Sequence, residues 1–222
     1  MSLHYKIKFP SHKHPNQKNS PILVLLHGLG SNEEDLFSFA PMLDSSLMVV
    51  SPRAPLSYFG GYAWFSLDIM QMGSGAPVIN SIEFENSRQL LISYLKELEQ
   101  TYQPSKIILG GFSQGAMMSY AVALTRPDLT RHVLAMSGYV VKDIADKIPQ
   151  SESLAGMQVL ATHGTNDMVL PVFLARKTQE FMHKLPIKFE FYEYNMGHEV
   201  NQECFNKINS WINESISSEQ ID

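Results

Sequence analysis

Short apolar runs alternate with stretches of helical periodicity along the chain. Ile22–Leu26 is apolar throughout, the pattern of a strand buried on both faces of a parallel sheet, and Leu47–Val50, Ile107–Leu109, His132–Met136 and Gln158–Thr162 read the same way. Lys188–Tyr194 instead alternates at period two, which predicts an edge or half-exposed strand. Tyr5–Phe9 is a fainter opening strand.

Helices fall between these runs. Ser31-Asn32-Glu33-Glu34 matches a capping box, so a helix is predicted from there to about Met42. Over 80–102, Phe84, Leu91, Tyr94, Leu95, Leu98 and Tyr102 mark one face of a long surface helix. Gln114–Thr125, rich in Ala and Met and stopped before Pro127, reads as a buried helix; Val172–Leu185 and Asn201–Ile216 complete the set. Strand–helix repetition predicts an α/β fold, a mostly parallel central sheet with helices on both faces. No internal repeat, linker or low-complexity stretch divides the chain, so 1–222 is expected as one domain, with 1–20 as an opening strand and polar segment.

Composition narrows the function classes. The 222 residues are 44% hydrophobic and 18% charged, enough for a single core and far from disorder. Lys and Arg total 17 against 22 Asp and Glu, a formal charge of −5 without any basic run, so nucleic acid is not an expected partner. The single cysteine, Cys204, rules out an internal disulfide framework and suits a reducing compartment. Met1–Pro15 carries no apolar h-region, and no run approaches the roughly 18–20 apolar residues of a membrane span. A cytoplasmic protein is the expectation.

Three segments carry chemistry. Gly111-Phe112-Ser113-Gln114-Gly115 follows one buried run and opens the Ala/Met helix. A serine hydroxyl becomes a nucleophile when a base takes its proton and a sharp strand-to-helix turn presents it, and that turn is crowded enough to need flanking glycines. The pattern alone also arises by chance at glycine-rich junctions. Gly164-Thr165-Asn166-Asp167 and Asn195-Met196-Gly197-His198 add weight, since each follows directly on a predicted strand. Ser113, Asp167 and His198 thus all sit at carboxyl ends of strands, where open α/β sheets bind ligands, and in the order Ser, Asp, His.

Competing residues read better as structural. His27 and His163 end strands and precede glycines, positions suited to bracing loops; His132 opens a strand on the wrong side; His183 lies on a helix face. His4, His12 and His14 belong to a polar segment in which solvation is a simpler reading than metal binding. Asp128 reads as a turn residue, Asp143 and Asp146 as alternative acids, and Cys204 lacks a reactive context. His27-Gly28-Leu29-Gly30 ends the first buried run and can present a backbone N–H beside that of Gln114, two donors for a tetrahedral oxyanion.

Together His27-Gly28-Leu29-Gly30, Gly110–Ala116, His163–Asp167 with Val169 and Pro171, and Gly197-His198 resemble the phospholipase/carboxylesterase family of α/β-hydrolases, which includes bacterial carboxylesterases and acyl-protein thioesterases. The resemblance spans about Ile22 to Trp211 and extends to Ser51-Pro52-Arg53-Ala54-Pro55. It implies a compact hydrolase without a large cap domain, metal or cofactor, in which Ser113, Asp167 and His198 form the triad and Leu29 and Gln114 the oxyanion hole. A serine carboxylesterase for short- to medium-chain esters or thioesters follows; the alternatives are a lysophospholipase or acyl-protein thioesterase for long chains, a protease or lactonase on the same fold, and a catalytically dead binding module.

Substrate preference is expected to lie in 56–80, where the family pattern is followed only loosely, at Trp64-Phe65 and Asp68. Residues 58–73 are dense in aromatics and Met, with Gly60-Gly61 and Gly73-Ser74-Gly75 as candidate hinges. Such a long segment reads as a lid or pocket wall, with Trp64, Phe65 and Val169 as candidate substrate contacts. Transient contact with a membrane surface through 58–73 and a homodimer are further expectations, and the same segment packed as an extension of the core is the plain alternative.

Overall fold

The computed structural model describes residues 3–11, 19–68 and 75–217. Its centre is a seven-stranded sheet formed by β1 (Tyr5–Lys8), β2 (Ile22–Leu26), β3 (Met48–Pro52), β4 (Ile107–Phe112), β5 (His132–Met136), β6 (Gln158–Gly164) and β7 (Lys188–Tyr194). Spatially they run β1-β3-β2-β4-β5-β6-β7. All neighbours are parallel except β1, which pairs antiparallel with β3 at one edge. The period-two strand is the opposite edge, where one face meets solvent.

Among the described residues four α-helices cover the sheet: α1 (Ser81–Tyr102), α2 (Gln114–Thr125), α3 (Phe173–Met182) and α4 (Gln202–Ser217). The pleat divides the core in two. Ile22, Val24 and Leu26 of β2 pack with residues of α1, α2 and α3, whereas Leu23 and Leu25 pack with Trp211 and Ile212 of α4 on the other face. Asn80 caps α1 by accepting from the Ile82 and Glu83 N–H groups, both at 3.2 Å. α2 is buried along its whole length, as its Ala/Met composition predicts.

The helix predicted from the capping box is corrected to a short 3₁₀ helix, Leu36–Met42, entered from Asp35 without a side-chain cap. Ser31 is held in a β-bridge to Tyr62, and its hydroxyl donates to Asp35. Glu34, which a capping box would fold back on the Ser31 N–H, pairs with Lys6 instead at 2.6 Å, while its neighbour Glu33 is buried against Arg53, with contacts of 2.6 and 2.5 Å. Pro41 further limits a regular α-helix.

The long segment after β3 has structure of its own. Leu56–Tyr58 and Gly61–Ala63 form a hairpin, and Leu67–Asp68 pairs with Val78–Ile79. Residues 69–74, and with them the candidate hinge positions Gly73 and Ser74, lie outside the described residues, as do His12 and His14.

Candidate active site

The turn between β4 and α2 puts Ser113 in a backbone conformation that side chains rarely adopt, φ 54° and ψ −116°. Its N–H donates to Met136 O at 2.8 Å, which ties the turn to β5. A side chain at Gly115 would run into the Leu26 carbonyl, and one at Gly111 into the Gly115 carbonyl. Both glycines are therefore steric requirements of the turn.

Asp167 comes from the loop after β6 and His198 from the loop after β7. Parallel pairing of these strands brings the loops together, and Thr165 N→Tyr194 O (2.8 Å) and Asn166 N→Met196 O (3.1 Å) bind one to the other. His198 Nδ1 lies 2.6 Å from Asp167 Oδ2 and Nε2 lies 2.9 Å from Ser113 Oγ. A carboxylate only accepts, so Nδ1 carries the hydrogen and Nε2 is free to accept from the serine hydroxyl. Phe112 packs its ring 4.8 Å from the imidazole.

Asp167 has no exposed side-chain surface. Its Oδ1 accepts the Val169 and Leu170 N–H groups at 2.9 and 2.8 Å. Burial pushes this carboxyl up, but hydrogen bonds from His163, His198 and the Leu170 N–H outweigh it and hold the acid well below the usual carboxylate range. His163 sits beneath, with Nε2 2.7 Å from Leu170 O and 3.4 Å from Asp167 Oδ2.

Ser113 and His198 open onto a cleft of about 220 Å³ that Leu29 and Val169 also line. Leu67, Phe112, Met117 and Leu170 supply apolar wall and Asp35 a carboxylate. The segment 58–73, expected to wall a pocket, contributes Leu67, whereas sequence reasoning missed the other four. Phe112, Met117 and Leu170 had a local signal, beside Ser113, one helical turn after it and three residues after Asp167; Asp35 arrives through tertiary packing alone.

Trp64 and Phe65 stand elsewhere. Both are fully buried in the core and neither lines the cleft. Gln114 explains why. Its side chain turns inward, accepting the Trp64 N–H at 2.7 Å and donating to Phe65 O at 2.6 Å, while its own N–H is at the first position of α2, where a helix offers no partner. Trp64 Nε1 donates to His27 O at 3.0 Å, and Ser87 Oγ donates to Trp64 O.

The competing residues occupy other places. Asp128 pairs with Arg126, Asp143 accepts from Ser81 Oγ, and His4 lies 3.2 Å from Glu33. His132 packs near Trp211. Cys204 is buried, and burial pushes its thiol up to about 11. Among the described residues no group of three or more His, Cys, Asp or Glu is placed to hold a metal ion, and no helix is long and apolar enough to cross a membrane.

A parallel sheet with an antiparallel edge strand, a strained serine elbow after a central strand, and an acid and a histidine on the loops after the last two strands define an α/β-hydrolase. The chain belongs to the phospholipase/carboxylesterase family, whose model matches residues 10–216. It is 30% identical to acyl-protein thioesterase 1 of Debaryomyces hansenii over 82% of this chain and 85% of that one. The carboxylesterase of Bacillus cereus superimposes with a TM-score of 0.80 at 20% identity, covering 96% of this chain and 94% of the other. Acyl-protein thioesterase 2 of Zea mays shares the fold with a TM-score of 0.75 at 18% identity, covering 97% and 100%.

Proposed function

We propose that the chain is a serine esterase that hydrolyses short- to medium-chain carboxylic esters or thioesters through an acyl-enzyme. The observation that carries this reading is the unbroken hydrogen-bonded line from Ser113 Oγ through His198 to Asp167. Ser113 Oγ attacks the acyl carbon as His198 Nε2 takes its proton, and the negative oxygen is received by the Leu29 and Gln114 N–H groups. Collapse expels the alcohol or thiol, to which His198 returns the proton. Water, activated by His198, then attacks the acyl carbon and frees Ser113. Asp167 keeps the useful tautomer and favours the imidazolium, and its depressed pKa means it does not itself take the proton.

The cleft volume supports the shorter acyl chains, since about 220 Å³ falls below the roughly 300–1,000 Å³ of sites for drug-sized ligands. The similarity to the Debaryomyces thioesterase favours a second reading, long-chain thioesters or lysophospholipids. In that case Phe59 and Met168, 95% and 88% exposed, are the side chains suited to touch a lipid surface. Residues 1–222 act as one catalytic domain in both readings. A series of p-nitrophenyl esters from butyrate to palmitate, read as kcat/KM, tests the choice. A maximum at or below about eight carbons is expected, and a maximum at palmitate would transfer the assignment to the second reading.

A further inference from the structure

We infer that His27 is a positioning residue for the oxyanion hole, its neutral imidazole fixing the Gly28–Leu29 peptide so that the Leu29 N–H faces the carbonyl adduct of Ser113. The inference rests on the reading of Ser113 as nucleophile and Leu29 as donor. His27 is fully buried at the end of β2, yet both ring nitrogens are engaged. Nδ1 lies 2.7 Å from Gly28 O and Nε2 lies 3.0 Å from Ala54 N. The carbonyl can only accept and the amide can only donate. Nδ1 therefore carries the hydrogen and Nε2 does not, and an imidazolium would set two N–H groups against each other at Ala54. Burial opposes protonation as well, and it outweighs the pull of the Gly28 carbonyl.

Peptide geometry carries the effect into the cleft. A trans peptide is planar, with its C=O and N–H pointing in opposite directions, and the chain has no cis bond among the described residues. Pinning Gly28 O on one side therefore aims Leu29 N–H on the other, where Gly28 and Leu29 line the cleft with Ser113. The pin is needed because glycine lets the adjoining peptide rotate cheaply. Apart from His27, Gly28 O receives a longer bond, 3.3 Å, from Ser31 N. The residue is also held through its backbone: Trp64 Nε1 donates to the His27 carbonyl, and the two rings lie 5.6 Å apart. Trp64 thus serves the site from behind rather than by touching an acyl chain.

The test compares His27→Phe, which keeps a ring but no donor, with His27→Asn, whose amide nitrogen can reach the Gly28 carbonyl as Nδ1 does. Each is assayed on a p-nitrophenyl ester and with an alkyl trifluoromethyl ketone. In the ketone adduct the Ser113 oxygen bonds to the ketone carbon, the carbonyl electron pair moves to oxygen, and the serine proton passes to His198. Rates are expressed per site labelled by a fluorophosphonate, so unfolded protein is not counted. Losing one oxyanion donor typically lowers kcat about 10²–10³-fold. His27→Phe is expected to lose about a hundredfold in kcat and in ketone affinity with KM changed less than about threefold, and His27→Asn to stay within about tenfold of wild type. Equal kcat per labelled site in the two variants would overturn the inference. If His27→Phe does not fold, His27→Leu, smaller and likewise without a donor, takes its place: its kcat and ketone affinity must fall together at constant KM, and a loss confined to KM or to melting temperature refutes the proposal. A wild-type protein that takes no label refutes instead the reading of Ser113 on which all of this depends.

Discussion

Replacing Gln114 by Leu separates the two jobs that this residue holds. Its side chain is 1% exposed and satisfies two buried backbone groups, the Trp64 N–H and the Phe65 carbonyl. Leucine has similar bulk but bonds to neither. A buried polar group left without a partner costs about 1–3 kcal/mol, so the pair sets a range of about 2–6 kcal/mol. Added apolar contact offsets part of this, and a net loss of about 3 kcal/mol is expected. For a chain of 222 residues, each kcal/mol moves the melting temperature by about 2–4 °C, so calorimetry should show a fall of about 6–12 °C. The proposed catalytic contribution of Gln114 is its backbone N–H, which every residue at this position retains. Esterase activity per folded molecule should therefore stay within about tenfold of wild type. A stability loss under about 1 kcal/mol would refute the clamp, and a collapse of activity without loss of stability would refute the division of roles.

Acid should weaken the fold in two windows. Burial pushes the His132 imidazole down to about 4 from an ordinary 6.5, so the unfolded chain binds more protons between those values; the stabilisation is complete above about pH 6.5 and drains as pH falls towards 4. Hydrogen bonds from Arg53 hold the Glu33 carboxyl at about 2 against an ordinary 4.5, and that contribution, about 1–2 kcal/mol allowing for the partial exposure of Arg53, is complete above about pH 4.5 and lost towards 2. Urea midpoints against pH should accordingly flatten in the upper window for His132→Gln and in the lower window for Glu33→Gln. Gly115→Ala places a methyl group into the Leu26 carbonyl and should yield insoluble protein or one destabilised by more than about 4 kcal/mol, measured by urea unfolding of any soluble fraction.

Most of the sheet was legible in the sequence because each buried strand is a continuous apolar run, and period two alone marked β7 as an edge. The Ser113 turn was legible for a different reason: its glycines answer to steric contacts within a few residues of the serine and with the end of β2. The capping box misled because the partner that captures Glu34, Lys6, comes from β1 and Ser31 is taken up in the bridge to Tyr62, both beyond the reach of a local pattern. Trp64 and Phe65 looked like pocket residues by composition. What sends them inward is the buried amide of Gln114, 50 and 49 residues away in sequence. The cleft wall was legible only in part: the segment 58–73 does supply Leu67, whereas Asp35 reaches the cleft from a separate loop.

The nucleophile is the claim on which the rest depends, and intact-mass spectrometry after reaction with a fluorophosphonate tests it most directly. Phosphonylation forms an O–P bond at Ser113 and releases fluoride, with His198 taking the proton. The wild-type chain should gain one adduct, and Ser113→Ala, with its melting temperature unchanged, should gain none. An adduct of equal yield on Ser113→Ala would contradict the assignment.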